Sequence, residues 1–402
     1  MLGKRSLIPQ ETNELFKKHY VALPEEAIEG SLEREEDMDL DKFVRDGLAG
    51  VAISFDAIIG STEVITHNTA ITIAKRTGDD THNAADDMFE SIVEEKHRHV
   101  VEIRVPDNAK KSLNILFVNS SKGLAAKVKI IVGKRADLSL LEWYSSAGDN
   151  ISFAGVIHSV EAGDGSNVEI NALHNEGKST ISASYFNGSV GENAKLFSNG
   201  TYIGGSHVRV RNVFDADTDG SSIEANEIAL GAGEQKFDLM SRISNIGKNT
   251  RAVLNSTAVM DDSATCFLKG YAKIYHGAKS AFSNIHQEGL LLSKDSKITA
   301  LPDMSIDESD VKATHAASAG PLEEDKLFYM MSRGIKAKSA KELITAAFLT
   351  RVISKIRNPI AKELAMSMVS KKINDGSYGN LPEMQSVGVW DASGNSIVIK
   401  ND

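Results

Sequence analysis

Asn167–Gly200 reads NVEINALHNEGKSTISASYFNGSVGENAKLFSNG. Three apolar alternations, NVEINAL, TISASYF and AKLFSNG, are separated by NEGKS and VGENA. Alternation with period two, rich in β-branched residues and bounded by Gly, Asn and Ser, is the pattern of short strands between tight turns. The same texture extends in both directions, through NILFV, KVKIIV and LSLLEW upstream and HVRVRNV, SIEANEIAL, KFDLMSRI, RAVLNSTAV, TCFLKG, SAFSNI and SKITAL downstream. One apolar residue from each successive strand gives Val168, Ile181, Leu196, Val208, Ile223, Phe237, Val253, Phe267, Phe282 and Ile298, a stride of about 13 to 16 residues. A regular stride marks a repeated architecture. A sandwich also has evenly spaced strands but needs fewer of them. The predicted fold is therefore mainly β with flanking helices, built on a parallel β-helix whose coils stack around a narrow core.

Composition agrees. The chain has 402 residues, 41% hydrophobic and 25% charged, with 6% aromatic residues and 31 glycines. Few aromatics and many glycines suit a core of small side chains and many turns. The formal charge of −10 argues against a nucleic-acid or anionic-membrane surface. No apolar run approaches the ~20 residues of a membrane helix. The first residues, MLGKRSLIPQETNELFKKHY, contain no apolar core of a signal peptide. Cys266 is the single cysteine, so an intramolecular disulfide is impossible and a reducing, cytoplasmic setting is expected.

Four regions follow. Residues 1–110 read as a mixed α/β region, with TNELFKKHY and DLDKFVRDGL as short helices, EGSLEREEDMD as an acidic linker, and GVAISFDAII, STEVITHNTAITI and HVVEIRVP as strands. Residues 111–318 are the β-helix core. Residues 319–375 read as a helical subdomain: Pro321 suits a first helical position, Gly334 a stop, Ser339–Glu342 a capping box, and Asn358-Pro359 a break. Residues 376–402 form a polar tail. Deleting everything after about Ala319 is expected to leave the β-helix folded.

The junction, Asp310–Ile335, reads DVKATHAASAGPLEEDKLFYMMSRGI. Its Asp310-Val311-Lys312 approach, His315 among small residues, Leu327-Phe328-Tyr329 and Arg333-Gly334-Ile335 resemble the C-terminal signature of the SufB/SufD family, scaffold subunits of the Suf iron–sulfur cluster assembly system. Gln287, Leu290 to Ser293 and Pro302 resemble a second family segment. The resemblance implies a right-handed parallel β-helix, a SufC-like ABC ATPase docked on the C-terminal helices, and a second SufB/SufD-type subunit, identical or distinct, paired through the β-helices. In SufB-type subunits a Glu follows the junction histidine and a cysteine lies nearby. Here Ala316 follows His315 and no cysteine follows Cys266, which places the chain nearer SufD.

The candidate site residues are then His315, a ligand for iron or a transient iron–sulfur cluster through a neutral ring nitrogen, and Cys266, a thiolate ligand or a small buried hydrophobe. Phe328, Arg333, Leu343, Ala347 and Phe348 are the candidate ATPase contacts. DADTDGSSIEANE starts like a calcium loop at Asp215, Asp217 and Asp219 but has Asn226 where the motif needs a bidentate acid. His97 and His99 are expected on one face of a strand. No GxxxxGK[ST] is present, so this chain is not expected to bind nucleotide. The chain is expected to be a scaffold without turnover of its own. The alternatives are a β-helix polysaccharide lyase or hydrolase using Asp303, Asp307 and Asp310, and a purely structural partner of the ATPase.

Overall fold

The computed structural model describes residues 55–66, 68–75, 88–148 and 150–376. The N-terminal helices, the acidic linker and most of the polar tail expected from the sequence lie outside the described residues.

One sheet contains β1 (Ala57–Ile59), β2 (Val64–Thr66), β5 (Lys110–Asn119), β7 (Asp137–Ser146), β9 (Asn167–Asn175), β11 (Lys195–Tyr202), β13 (Ser222–Gly231), β15 (Arg251–Met260), β17 (Ala281–Leu291) and β19 (Val311–Pro321). The other contains β3 (Ile71–Lys75), β4 (His99–Val105), β6 (Leu124–Val132), β8 (Ser152–Ala162), β10 (Thr180–Val190), β12 (His207–Ala216), β14 (Lys236–Asn245), β16 (Thr265–Ile274) and β18 (Lys297–Ile306). β3 meets β4 antiparallel; from β5 onward odd strands pair only with odd strands and even with even, all in parallel. The chain thus winds as a parallel β-solenoid of about eight coils. A coil takes 27 residues from Asn199 to Asn226 and 29 from Asn226 to Asn255. Each coil holds two strands, so the stride legible in the sequence is half a coil.

Register stacks like on like. Val168, Leu196, Ile223 and Ala252 align across four odd strands and point into the lumen. Corners turn on left-handed residues such as Asn193, Asn249, Gly165 and Gly220, where Asn and Gly tolerate positive φ.

Both outer faces are also partly apolar, which the alternation alone does not separate from the core. Helix α1 (Met88–Lys96) covers the even sheet: its Phe89, Ile92 and Val93 pack on Phe153, Ile157, Ile181 and Tyr185. Ile181, one of the stride residues, therefore faces outward under a helix. Three C-terminal helices follow β19: α2 (Glu324–Ser332), α3 (Ala337–Ile353) and α4 (Pro359–Asp375). Leu349, Val352 and Ile353 of α3 and Leu364 and Met368 of α4 pack on Leu116, Leu141, Trp143, Leu173 and Ile228 of the odd sheet. The helices are thus part of the solenoid's hydrophobic structure. The expectation that the β-helix survives deletion after about Ala319 is accordingly corrected, because the deletion would expose this face to water.

Helix boundaries show what local signals decided. Pro321 ends β19, and α2 starts three residues later with no side-chain cap. Gly334 does take a left-handed turn, at φ +88. Lys336 is then extended, so α3 begins at Ala337 and the expected Ser339 cap lies inside the helix. Asn358 caps α4, accepting the Ala361 amide N–H at 3.0 Å, with Pro359 at the first helical position. The dipeptide expected to break a helix starts the next one, since α3 has already ended at Ile353.

Candidate functional site

The solenoid finishes at β18 and β19, the last strands of their two sheets. Each offers one edge with no described strand beside it. His315 sits on β19, exposed, in register with Ile285, and Ala313 and Ala317 share its face. One strand inward, Gln287 is in register with Ala317 and fully buried, and neither of its amide atoms has a hydrogen-bond partner. An exposed imidazole among alanines and serines is reachable by a second chain or an ion.

Cys266 lies on β16, one strand inward from β18 on the other sheet. It points into the lumen between Phe237 and Ile298, its register partners, at 4% exposure. Burial pushes its thiol well above the ordinary range, and the carboxyls of Asp238 and Glu227 add to the rise. A thiol so placed is a poor thiolate at neutral pH.

The C-terminal helices split by face. Helix α2 buries none of its residues and presents Phe328, at 72% exposure, with Tyr329 and Met331. Arg333 is exposed and stacks over the Tyr329 ring at 5.2 Å. On α3, Leu343 at 53% and Ala347 are exposed. Phe348 is half-buried, packed against the solenoid-facing cluster and under the Arg351 guanidinium at 4.8 Å. Four of the five candidate contacts are thus on the surface, and Phe348 joins the helix to the solenoid.

Other sequence motifs separate into ordinary pairs. Asp215 pairs with Arg242 at 3.1 Å, Asp217 accepts from Ser189 Oγ, and Asp219 accepts the Lys248 amide N–H at 2.8 Å. No calcium loop forms. Asp303 faces Lys269, Asp307 pairs with Lys273, and Asp310 accepts from Ser280, so these carboxylates do not converge. His97 follows α1, with its Nδ1 beside the Val93 and Glu94 carbonyls, while His99 opens β4. The expectation that both share a strand face fails because the helix runs up to Lys96. Among the described residues, no group of three or more His, Cys, Asp or Glu could hold a metal ion. No helix among them is long and apolar enough to cross a membrane.

Two features escaped the sequence reading. The lumen is not uniformly apolar: Tyr144 donates to Glu142 at 3.2 Å and lies 3.0 Å from His158 Nε2. His174 meets Glu176 at 2.9 Å, and Phe117, Tyr144, His174 and Tyr202 stack ring on ring along the axis. The signal was present as polar residues on the inward phase of each alternation, legible only once that phase is known. The second is Lys372, buried beneath α4, which no periodicity marks.

Residues 115–348 match the family described as SUF system FeS cluster assembly, SufBD core domain. The chain is 34% identical over 155 residues to the iron-sulfur cluster assembly protein SufD of Bacillus subtilis, covering 39% of this chain and 36% of that one. It is 20% identical over 300 residues to SufD of Escherichia coli, covering 72% and 71%. It is 25% identical over 246 residues to an iron-sulfur cluster assembly SufBD family protein of Pyrococcus horikoshii, covering 61% and 54%. The matched stretch thus spans about a third of the first of these relatives and about half of the third. The solenoid, the junction motif and the match across more than half of the chain agree: this chain belongs to the SufBD family of iron–sulfur cluster assembly proteins.

Proposed function

We propose that this chain is a scaffold subunit for iron–sulfur cluster assembly that performs no turnover of its own. It works in the cytoplasm, bound through α2 and α3 to a SufC-like ABC ATPase and through β18 and β19 to a second SufB/SufD-type subunit. The cluster or its iron is cargo held at the open end, where His315 offers a neutral nitrogen and the partner subunit and sulfide complete the ligand set.

The observation that carries this reading is the unburied helix α2, which holds Phe328, Tyr329 and Met331 out to solvent beside the exposed Leu343 of α3. Exposed large apolar residues grouped in this way mark an interaction surface. The open strand edges support a second subunit, since unpaired edges are templates for pairing. A purely structural role beside the ATPase is favoured by the burial of Cys266 and the lack of a ready metal cluster among the described residues. The paired Asp303, Asp307 and Asp310 give the polysaccharide-cleaving alternative no support.

Phe328→Asp combined with Leu343→Asp is expected to reduce capture of the ATPase in co-purification by about ten-fold or more, the scale of losing an apolar hot spot. Stability should stay within about 0.5 kcal/mol, since both side chains are exposed. Undiminished capture would move the docking surface elsewhere.

A further inference from the structure

We propose that Glu227 is a proton-holding site: its carboxyl stays protonated at neutral pH, donates to Ser241 Oγ, and loosens the surrounding coil when it gives up that proton at alkaline pH. The site is independent of the scaffold reading and lies in the lumen, three coils before the last strand β19.

Glu227 is on β13 with its side chain inward and 3% exposed. Its register neighbours are Gly200 on one side and Ser256 on the other. Oε1 accepts from Asn212 Nδ2 at 2.9 Å and is in close contact with Ser241 Oγ, while Oε2 is 2.8 Å from Ser256 Oγ. All three partners are neutral. The other two lumen carboxyls differ in kind, since Glu142 and Glu176 each meet an imidazole, His158 at 3.0 Å and His174 at 2.9 Å. Glu227 has no ion pair among the described residues.

The titratable groups coupled to it are acidic. Tyr202 faces it from β11 and Cys266 from β16, and the Glu227 charge pushes both further up. No titratable side chain points inward at this level from β12, β14 or β15. Lys372, the cation near the end of β13, is directed at the Ile203 and Leu230 carbonyls and at Gln235 Oε1. Burial therefore raises Glu227, and the three neutral hydrogen bonds pull it back only in part. A seryl hydroxyl can accept a proton from the acid as readily as donate one. Ser241 Oγ can thus take the acid proton while Asn212 and Ser256 donate.

A carboxyl whose pKa is higher folded than unfolded adds stability below the ordinary carboxylate range and loses it as pH rises through the raised value. The test is urea unfolding of the full chain, wild type against Glu227→Gln, from about pH 5 to about pH 9. The amide copies the neutral acid in shape and can both donate and accept. The variant should match wild type in acid and exceed it in alkali, the gap in folding constant widening by up to about ten-fold per pH unit between the ordinary carboxylate range and the folded pKa and levelling off above it. Infrared spectra at neutral pH should show a protonated carboxyl band in wild type that the variant lacks. A variant weaker than wild type at alkaline pH, a pH-independent difference, a failure to fold, or identical infrared spectra would each mean that Glu227 is an ionised acceptor and would overturn the proposal.

Discussion

Replacing Lys372 by Met is expected to cost the folded chain about 2–4 kcal/mol, the scale of stripping a buried polar network of its charged donor. Lys372 is 4% exposed, and its ammonium donates to Ile203 O at 2.6 Å, Leu230 O at 2.5 Å and Gln235 Oε1 at 2.5 Å. Gln235 Nε2 donates in turn to Ile203 O and Gly205 O, so one cation and one amide tie two successive coil corners to α4. Burial pushes the ammonium well below its ordinary range. Methionine keeps an apolar stem but removes the ammonium, which lies 5.9 Å from the Phe237 ring, and its three donated bonds at once. Urea unfolding gives the loss, and hydrogen exchange should show the amides of α4 opening first. A loss under about 0.5 kcal/mol would mean that water replaces the ammonium and that the helix is held by apolar contact alone.

Trp143→Ala is expected to cost about 3–5 kcal/mol, the range for truncating a fully buried large aromatic. Trp143 points out of the odd sheet, not into the lumen, and is completely covered within the cluster that joins the sheet to α3 and α4. Phe55 packs beside it with ring centroids 6.2 Å apart. Its removal leaves a cavity in the seam between solenoid and helices. Thermal unfolding of the full chain measures it, with Phe328→Ala as the exposed control expected to change stability by less than about 0.5 kcal/mol. A loss for Trp143→Ala no larger than the control's would mean that the helices dock loosely and that the solenoid does not depend on them.

Strand existence and stride were legible because each strand alternates over enough residues to show its period, as in NVEINAL and SIEANEIAL. Two strands per coil were not legible, since one stride fits a whole short coil or half of a longer one, and the ladder from Asn171 to Asn199 to Asn226 decides it. Which phase faces inward was hidden as well. Ile181 and Trp143 are as apolar as Leu196, yet they face helices contributed by distant parts of the chain. Helix starts misled where propensity met tertiary context: Ser339 has a capping sequence, but Gly334 and the extended Lys336 set the entry earlier. His315 and the exposed side chains of α2 were legible through a motif, and the structure places them at an open end and on an unburied helix. The lumen acid Glu227 and the buried Lys372 were not, because each depends on contacts between residues far apart in sequence.

The most direct measurement is the iron and acid-labile sulfide content of the complex formed with the SufC-like ATPase and a SufB-type subunit, purified anaerobically and reconstituted, for wild type and His315→Ala. His315 is exposed and makes no described hydrogen bond, so the variant should assemble with the same partners and the same mass. Wild type should take up iron and sulfide together, and the variant should take up clearly less of both. Iron and sulfide uptake by the variant equal to wild type would contradict a cargo site at the open end and leave the chain a structural partner only.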